Sequence, residues 1–408
     1  MSGLTRIASA CASIAIFAIA LTAAEAAKAR GPQILYTFTD VAYDTGSTGP
    51  LLRDAAGDLY GVSLGGGSNS IGSVFELSPG GVLTTLHDFA NVIGQPAHPV
   101  GGVVMDGAGN LYGEAALGGA LNCTEIFNRE DCGSVYKLAP DGTVTTLHAF
   151  QGGTDGDLPS GGLLLDKRGN LYGTTQYGGT PYGCGGTCGL VFEIAAGGTY
   201  TVLHNFQGGT DGGSPRSNLI VDRAGNLYGT TYLGGSGGGY GTVYKLARNG
   251  TETVLHAFQG ADGSMPAAGV VMDATGNLYG TTEYGGDSPS EGYGTVFKLS
   301  PDGTHTVLHS FAGNASGSDG ELPRDNLLID KMGDLYGTTQ WGGYAYCHNE
   351  GCGTLFKVAN DGTYSQVYLF RKDSVTGPIG GVTQDAKQNL YGSGLAPTYY
   401  GVIYEIRK

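Results

Sequence analysis

The chain has 408 residues, of which 76 are Gly, 40% are hydrophobic and 14% are charged. Gly is therefore about 19% of the sequence, short of the one-third typical of collagen. So much Gly argues against a helical protein, because each Gly costs a helix about 1 kcal/mol relative to Ala. The formal net charge of −15 argues against binding to nucleic acids or anionic membranes, since an acidic surface repels phosphate groups.

The N-terminal residues have the pattern of a secretory signal. Arg6 provides the positive n-region, residues 7–21 form the apolar h-region, and Ala24-Glu25-Ala26 is an A-x-A cleavage site. This apolar run is too short to span a bilayer comfortably, and no later segment is apolar enough to span one. We therefore expect residues 1–26 to be a signal peptide. Residues 27–408 would then form a single domain in the periplasm or the extracellular space, without membrane insertion.

The tripeptide Leu-Tyr-Gly recurs with a period of about 55 residues. It begins at Leu59, Leu111, Leu171, Leu227, Leu278, Leu335 and Leu390. Each repeat contains four short β-type runs, separated by turn residues. Gly also recurs at fixed places in the repeat, where it permits sharp turns and close contacts between blades. Four strands per repeat at this period are typical of a β-propeller.

The repeat is divided between the two ends of the chain. The last repeat ends with its third strand, residues 402–407, and lacks a fourth strand. Residues 34–38 match the fourth-strand pattern V-L-H-x-F and precede the first complete repeat. We therefore expect the N-terminal strand to complete the C-terminal blade and close the ring. The predicted fold is an all-β, seven-bladed β-propeller with four antiparallel strands per blade.

The repeat pattern also resembles known propeller families. Its D-x-x-G-N-L-Y hairpin looks like that of NHL-type propellers. The longer pattern, from D-G-x-x-P through G-T-T-x-x-G-G to T-V-L-H-x-F, resembles the GloVer tandem repeat of exported bacterial proteins. Residues 155–206 and 211–258 carry it almost whole, and the resemblance extends over residues 33–408. Members often have a C-terminal surface anchor, but this chain ends within a strand, so the resemblance does not predict anchoring. It implies no established activity.

Six cysteines follow the predicted signal peptide, in three close pairs within loops between second and third strands. They are Cys123 with Cys132, Cys184 with Cys188, and Cys347 with Cys352. An even number of cysteines in an exported chain favours disulfides, each worth roughly 2–3 kcal/mol in the chain-entropy account. The alternative is a zinc site formed by the pairs of blades 2 and 3, with His348 near the third pair. As disulfides, the pairs would either order Gly-rich loops or shape a binding surface.

Two sets of recurring polar residues are expected to be structural. One position of the fourth strand is a histidine in five blades, and we expect these histidines to form hydrogen bonds between blades. They are His87, His148, His204, His256 and His309. Four blade linkers contain an Asp-Gly dipeptide, which we expect to form a turn. The alternative is that these aspartates bind Ca²⁺. The dipeptides begin at Asp155, Asp211, Asp262 and Asp319. These steps lack the density of acidic residues found in Ca²⁺-binding loops. No cofactor is therefore predicted.

The long loops must lie on one face of the disc, the loop face, where binding residues are usually found. In blades 4 and 6 a P-R-x-N sequence provides Arg216 with Asn218 and Arg324 with Asn326. Two guanidinium groups beside the channel mouth could bind a carboxylate bidentately. The alternative is that they pair with neighbours such as Asp325 or Glu321.

An aromatic cluster in the blade 6 loop is the second candidate binding region. Its residues are Trp341, Tyr344, Tyr346, His348 and Glu350, which include the only Trp of the chain. Tyr177, Tyr232 and Tyr284 occupy or adjoin the Trp341 position in other blades. Aromatic rings with polar edges would suit the amphipathic faces of sugars. The alternative is simple loop packing.

No catalytic motif is present in the sequence, and no catalytic residue is assigned. The leading hypothesis is a monomeric, exported binding module for glycans or acidic saccharides, or for a cell-surface partner. One alternative is a lyase or hydrolase that uses His348, Glu350 and the two arginines at the channel mouth. Another is a purely structural envelope protein.

Overall fold

The computed structural model is a ring of seven antiparallel sheets, which confirms the seven-bladed β-propeller. It describes residues 31–39, 49–90, 92, 94–119, 131–179, 188–236, 238–287, 292–313, 319–343, 347, 351–397 and 400–408. These ranges contain single 3₁₀ turns at Gly153–Asp155 and Gly209–Asp211, and no α-helix. In the same ranges, no helix has the length and apolarity needed to cross a membrane. The predicted signal peptide lies outside them.

Each blade has four main strands, which pair in chain order. The first strands of blades 1 to 7 are Leu52–Arg53, Ala97–Met105, Leu164–Leu165, Ile220–Val221, Val271–Met272, Leu328–Ile329 and Thr376–Gln384. The second strands are Leu59–Ser63, Leu111–Leu117, Leu171–Tyr177, Leu227–Thr231, Leu278–Thr282, Leu335–Thr339 and Leu390–Leu395. The third strands are Ser73–Leu77, Ser134–Leu138, Leu190–Ile194, Thr242–Leu246, Thr295–Leu299, Thr354–Val358 and Gly401–Ile406.

The fourth strands complete the blades. In blades 1 to 6 they are Leu83–Asp88, Val144–Ala149, Tyr200–Asn205, Glu252–Ala257, His305–Ser310 and Tyr364–Leu369. Blade 7 takes its fourth strand from the other end of the chain, Gln33–Thr37. Three short additional strands accompany blades 3 and 6: Asp157–Pro159, Gly320–Glu321 and Trp341–Gly342.

The first and last strands of the chain close the ring, as predicted. They pair antiparallel, with Gln33 opposite Glu405 and Thr37 opposite Val402. Phe38, which follows the N-terminal strand, packs in one buried cluster with Ile403 of blade 7 and with residues of blade 1. Blade 7 is therefore a complete four-stranded sheet that contacts blade 1.

At every blade junction, a Phe that follows the fourth strand of one blade meets an aromatic ring in the third strand of the next. The ring centroids lie 5.1–5.4 Å apart, in edge-to-face geometry, which is a favourable arrangement of aromatic pairs. All of these side chains are buried. The pairs are Phe38–Phe75, Phe89–Tyr136, Phe150–Phe192, Phe206–Tyr244, Phe258–Phe297, Phe311–Phe356 and Phe370–Tyr404.

The Gly of each Leu-Tyr-Gly makes room for this third-strand ring. A Cβ atom at that position would lie 2.4–2.7 Å from the far end of the ring in every blade. Real Cβ atoms essentially never approach other heavy atoms so closely. None of these seven glycines has a positive φ. Close approach, and not turn formation, therefore requires Gly at this place in the repeat.

We expect Gly337→Ala to lower the free energy of unfolding by about 2–3 kcal/mol, as overpacking of a core does. The new Cβ would lie 2.4 Å from Phe356 Cζ and 2.7 Å from Leu327 Cδ2. Gly107→Ala is the matched control, because no atom lies within 4 Å of its added Cβ. Urea denaturation of both variants measures the effect. Equal stability of the two variants would contradict this explanation of the motif.

Around the axis, neighbouring blades are joined by close backbone contacts and by hydrogen bonds. We call the residues that make these contacts the axis ring. A Cβ on Gly49 of blade 1 would lie 2.4 Å from the Gly101 carbonyl carbon of blade 2, and one on Gly380 of blade 7 would lie 2.3 Å from the Gly49 oxygen. Five hydrogen bonds link blades 2 to 7 in succession: Gly162 N to Glu114 Oε2, Thr174 Oγ1 to Ser217 O, Thr230 Oγ1 to Ala268 O, Gly269 N to Asn326 Oδ1, and Gly380 N to Asp325 Oδ1.

Glu114 is the irregular member of the axis ring. Its position is occupied by Thr in blades 3 to 6, and its side chain is fully buried. One carboxyl oxygen accepts the Gly162 N–H at 2.8 Å. The other has no hydrogen-bond partner among the described residues. Burial raises the pKa of Glu114 to about 8, although the Gly162 hydrogen bond acts in the opposite direction. Glu114 is therefore mostly protonated at neutral pH.

This raised pKa makes stability depend on pH in a defined direction. Unfolded Glu114 loses its proton near pH 4.5, whereas folded Glu114 holds it until about pH 8. The contribution of protonated Glu114 to the free energy of unfolding is therefore complete below pH 4.5 and is lost as the pH rises toward 8. We expect Glu114→Gln to gain roughly 3 kcal/mol of stability relative to the wild type between pH 5 and pH 8. Chemical denaturation across this range measures it, and parallel pH profiles would contradict it.

Candidate functional site

The disulfide of the blade 6 loop forms as expected. Cys347 and Cys352 are bonded, with their Cα atoms 5.2 Å apart. Cys132 and Cys188 are also disulfide-bonded, whereas their expected partners, Cys123 and Cys184, lie outside the described residues. The bonded sulfurs of Cys132 and Cys188 are not free thiolates, so the zinc site considered for blades 2 and 3 is not formed.

On the loop face, a continuous line of polar side chains crosses blades 3 to 6; we call it the polar arc. Four members directly follow the second-strand Thr-Thr, and two are the arginines of the P-R-x-N sequences. Blades 1, 2 and 7 carry Leu64, Ala116 and Leu395 at the place that follows the second-strand pair. The arc therefore covers only part of the ring. Its members, in spatial order, are Gln176, Arg216, Tyr232, Glu283, Arg324 and Gln340.

Arg216 lies between an amide and an aromatic ring. The Gln176 amide oxygen, in the orientation that satisfies its neighbours, accepts from Arg216 Nη2 at 2.8 Å and from Nε at 3.2 Å. The guanidinium carbon lies 4.0 Å from the ring centroid of Tyr232, a cation–π arrangement. No ion pair joins Arg216 to a carboxylate among the described residues. Its positive charge is therefore not neutralised by a described acidic group.

Arg324 differs, because a carboxylate neutralises it. Its Nε donates to Glu283 Oε1 at 2.8 Å, and Nη2 contacts the same oxygen. Its Nη1 donates to Gln340 at 2.7 Å. Burial alone would lower the pKa of Arg324, but the Glu283 charge raises it. The partner is thus a buried carboxylate of blade 5, and not Asp325 or Glu321, which the sequence had suggested.

Tyr232 connects the two halves of the polar arc. Its ring lies under the Arg216 guanidinium, and its hydroxyl is near the Glu283 carboxylate. Burial and the Glu283 charge raise the pKa of Tyr232, so its hydroxyl stays protonated. Arg216, Tyr232, Glu283 and Arg324 therefore form one connected network across blades 4 to 6.

The polar arc leads into a cleft of about 230 Å³ between blades 6 and 7. Its lining includes Gln340, Trp341 and Cys347 of blade 6, together with Lys372 of the following linker and Ile379 of blade 7. Gln340 belongs to both the arc and the cleft. The Cys347–Cys352 disulfide anchors the wall that carries the only Trp. This disulfide therefore borders a concave surface instead of only shortening a loop.

The remaining predicted site residues are not in the polar arc. Asn326 accepts the Gly269 N–H at 2.8 Å within the axis ring, and Asn218 Oδ1 would lie 2.9 Å from a Cβ on Gly269. Both Asn therefore lie at blade contacts around the axis. Four other residues of the predicted cluster lie outside the described residues: Tyr344, Tyr346, His348 and Glu350.

Sequence reasoning missed four members of this surface, Gln176, Glu283, Gln340 and Lys372. Three of them occupy one position of the repeat, directly after the second-strand Thr-Thr. Comparison of that position across blades shows polar residues in blades 3, 5 and 6 and apolar ones in blades 1, 2 and 7. This signal was available in the sequence. No comparable signal pointed to Lys372, which reaches the cleft from the linker before blade 7.

The fourth-strand histidines have the structural role predicted for them at three junctions, where His148, His256 and His309 hydrogen-bond to the linker that leads to the next blade. At a fourth junction, His204 lies within ion-pair distance of Asp211 but does not form a hydrogen bond with it. Each Nε2 lies 2.9–3.3 Å from the Asp of the following Asp-Gly step: His148–Asp155, His204–Asp211, His256–Asp262 and His309–Asp319. The same carboxylates accept backbone N–H groups in the linkers, at Gln151, Gln207, Gln259 and Ala312. The Asp-Gly carboxylates thus close turns, which was the leading expectation for them.

Solved structures share the fold at low sequence identity. A catalytically inactive virginiamycin B lyase from Staphylococcus aureus is 12% identical with a TM-score of 0.61, over 92% of this chain and 99% of that one. The extracellular domain of a putative hybrid two-component system from B. thetaiotaomicron is 13% identical with a TM-score of 0.55, over 90% of this chain and 39% of that one. A puromycin hydrolase is 12% identical with a TM-score of 0.55, over 90% and 52%.

Among curated proteins, no sequence matches this chain. The Gloeobacter/Verrucomicrobia repeat matches it over residues 16–179, 128–316 and 238–408. These three segments overlap and together include every blade. The chain therefore belongs to the Gloeobacter/Verrucomicrobia repeat family.

Proposed function

We propose that this chain is an exported binding module for acidic saccharides, which it holds along the polar arc and in the cleft between blades 6 and 7. The observation that carries the proposal is the continuity of the two regions. A cleft with the only Trp and with Lys372 is joined through Gln340 to an arc that contains Arg216, a cation without a described carboxylate partner.

The chemistry of the cleft supports a sugar ligand. Trp341 offers an apolar face with a polar N–H edge, which suits the C–H face and the hydroxyl edge of a sugar ring. Ile379 and Leu395 add apolar surface, and Gln340 adds an amide that can donate and accept. Lys372 brings a positive charge to the same cleft, so a carboxylated sugar is favoured over a neutral one.

The spacing of the two cations supports an extended ligand. Lys372 lies in the cleft between blades 6 and 7, whereas Arg216 belongs to blade 4. Tyr232, Glu283 and Arg324 lie between them as successive contacts. A single sugar cannot contact both ends of this network. An oligosaccharide with repeated carboxylates can, and each cation then neutralises a different unit.

The contacts of Glu283 favour binding over catalysis as the function of this surface. Glu283 is the only carboxylate of the polar arc, and Arg324 holds it through two nitrogen atoms. A carboxylate fixed in this way is a poor general base, because the oxygen that would accept a substrate proton is already occupied by the guanidinium. The lyase and the hydrolase of similar fold share only 12% of residues with this chain. Export is supported by the disulfide-bonded cysteines, which persist in oxidising compartments.

We expect acidic oligosaccharides to change the fluorescence of the chain, because its only Trp lines the cleft. A titration with oligogalacturonate should saturate, and a neutral oligosaccharide of equal length should bind at least tenfold more weakly. Arg216→Gln and Lys372→Gln should each weaken oligogalacturonate binding by about 10- to 100-fold, the loss expected for one charge-assisted hydrogen bond. Raising the salt concentration should weaken it further.

Arg223→Gln is the matched control, because Arg223 is an exposed arginine in the blade 4 hairpin turn and not in the polar arc. Its affinity should equal that of the wild type. The proposal fails if no acidic oligosaccharide perturbs Trp341. It also fails if Arg216→Gln, Lys372→Gln and Arg223→Gln all bind as the wild type does.

A further inference from the structure

We propose that His256, Asp262 and His305 form a binding site for a transition-metal ion such as Zn²⁺ at the junction of blades 4 and 5. One donor atom from each residue lies within 4.8 Å of the other two. His256 Nε2 is 2.9 Å from Asp262 Oδ2, and the His305 ring stacks on the His256 ring with centroids 4.0 Å apart. The three residues come from a fourth strand, a blade linker and the next fourth strand.

Comparison with the other junctions shows what is special about this one. The His–Asp pair recurs at three more junctions, but the residue equivalent to His305 is Tyr200, Glu252 or Tyr364 there. Tyr200 and Tyr364 stack on their histidines in the same way. A flat ring therefore occupies this place at three of these four junctions, and it is an imidazole at the blade 4–5 junction alone.

The second imidazole packs against aromatic rings, but it lacks the hydrogen bond that the equivalent tyrosines make. Tyr364 donates its hydroxyl to Asp319 at 2.9 Å, and Tyr200 donates to the Asp155 carbonyl at 2.7 Å. His305 Nε2 is buried, and no hydrogen-bond partner exists for it among the described residues. Buried polar atoms are rarely left unsatisfied. A metal ion between His305 and the His256–Asp262 pair would satisfy this nitrogen.

The ligand set fits a borderline ion better than a hard one. Two imidazole nitrogens and one carboxylate oxygen are typical ligands of Zn²⁺, and they leave a fourth position for water. Ca²⁺ instead prefers six or more oxygen atoms. Asp262 is already oriented, because its Oδ1 accepts the Gln259 N–H at 2.7 Å. Such outer hydrogen bonds fix the direction of a metal-binding carboxylate.

Binding would require a small rearrangement. Ligand atoms of one tetrahedral Zn²⁺ lie about 3.3 Å apart, closer than the 4.8 Å limit within which these donors lie. The two imidazole planes are almost parallel, at 5°, so the His305 ring must also tilt toward the ion. His256 must give up its hydrogen bond to Asp262 when both coordinate, and its imidazole must then carry its proton on the nitrogen that does not bind the ion. These costs predict micromolar affinity.

The test is a titration of the full, untagged chain with Zn²⁺ by calorimetry and with Co²⁺ by visible absorption. We expect one site per chain, with a Co²⁺ spectrum of low coordination number and a rise in the melting temperature on adding Zn²⁺. His305→Tyr should reduce Zn²⁺ affinity at least tenfold. This variant should fold, because Tyr occupies the equivalent place in blades 3 and 6.

Two further variants separate this site from adventitious binding. His148→Gln alters the equivalent His–Asp pair at the blade 2–3 junction and should leave Zn²⁺ affinity unchanged. Tyr364→His recreates the ligand set at the blade 5–6 junction and should raise the stoichiometry to two. The proposal is wrong if the wild type binds neither ion, or if His305→Tyr binds Zn²⁺ as tightly as the wild type does. A stoichiometry of one in folded Tyr364→His would equally contradict the geometry.

Discussion

The architecture depends on one repeated contact, an aromatic ring held between a glycine and a phenylalanine. In blade 6, the Phe356 ring lies over Gly337 of its own sheet and against Phe311 of the preceding blade. The same arrangement occurs at all seven junctions. Each blade therefore carries half of the hydrophobic contact that its neighbour needs. A blade cannot bury this surface alone, so the blades require a closed ring, and closure requires the N-terminal strand in blade 7.

Because these junction contacts are the same in every blade, residues elsewhere can vary from blade to blade without loss of the fold. The junction contacts involve the Gly and the third-strand ring, whereas the residue that follows the second-strand pair lies near the loop face and takes no part in these contacts. That place is Leu395 in blade 7 but Glu283 in blade 5. The polar arc and the cleft next to it therefore distinguish blades 3 to 7 from the first two.

Charge neutralisation decides which of the two similar arginines is available to a ligand. Arg216 and Arg324 occupy the same place in the repeat, yet among the residues that the structure describes only Arg324 pairs with a carboxylate. The reason lies in the preceding blade, because Arg324 follows Glu283 of blade 5, whereas Arg216 follows Gln176 of blade 3. An amide satisfies the hydrogen bonds of a guanidinium without cancelling its charge. The network thus contains one ion pair and one cation that no described carboxylate neutralises.

The sequence by itself determined the number of blades, the four strands in each, the closure of the ring and the pairing of the recurring histidines between blades. These features follow from a repeat that is read seven times, so each weak local signal is reinforced by the others. Only the tertiary structure decided the partner of Arg324, the role of Asn326 in the axis ring, the place of Lys372 in the cleft and the meeting of His256 with His305. Each of these contacts joins residues of neighbouring blades or linkers that are far apart in the chain. Side-chain contacts across a junction depend on how two sheets pack, and the repeat pattern does not encode that for residues that vary from blade to blade.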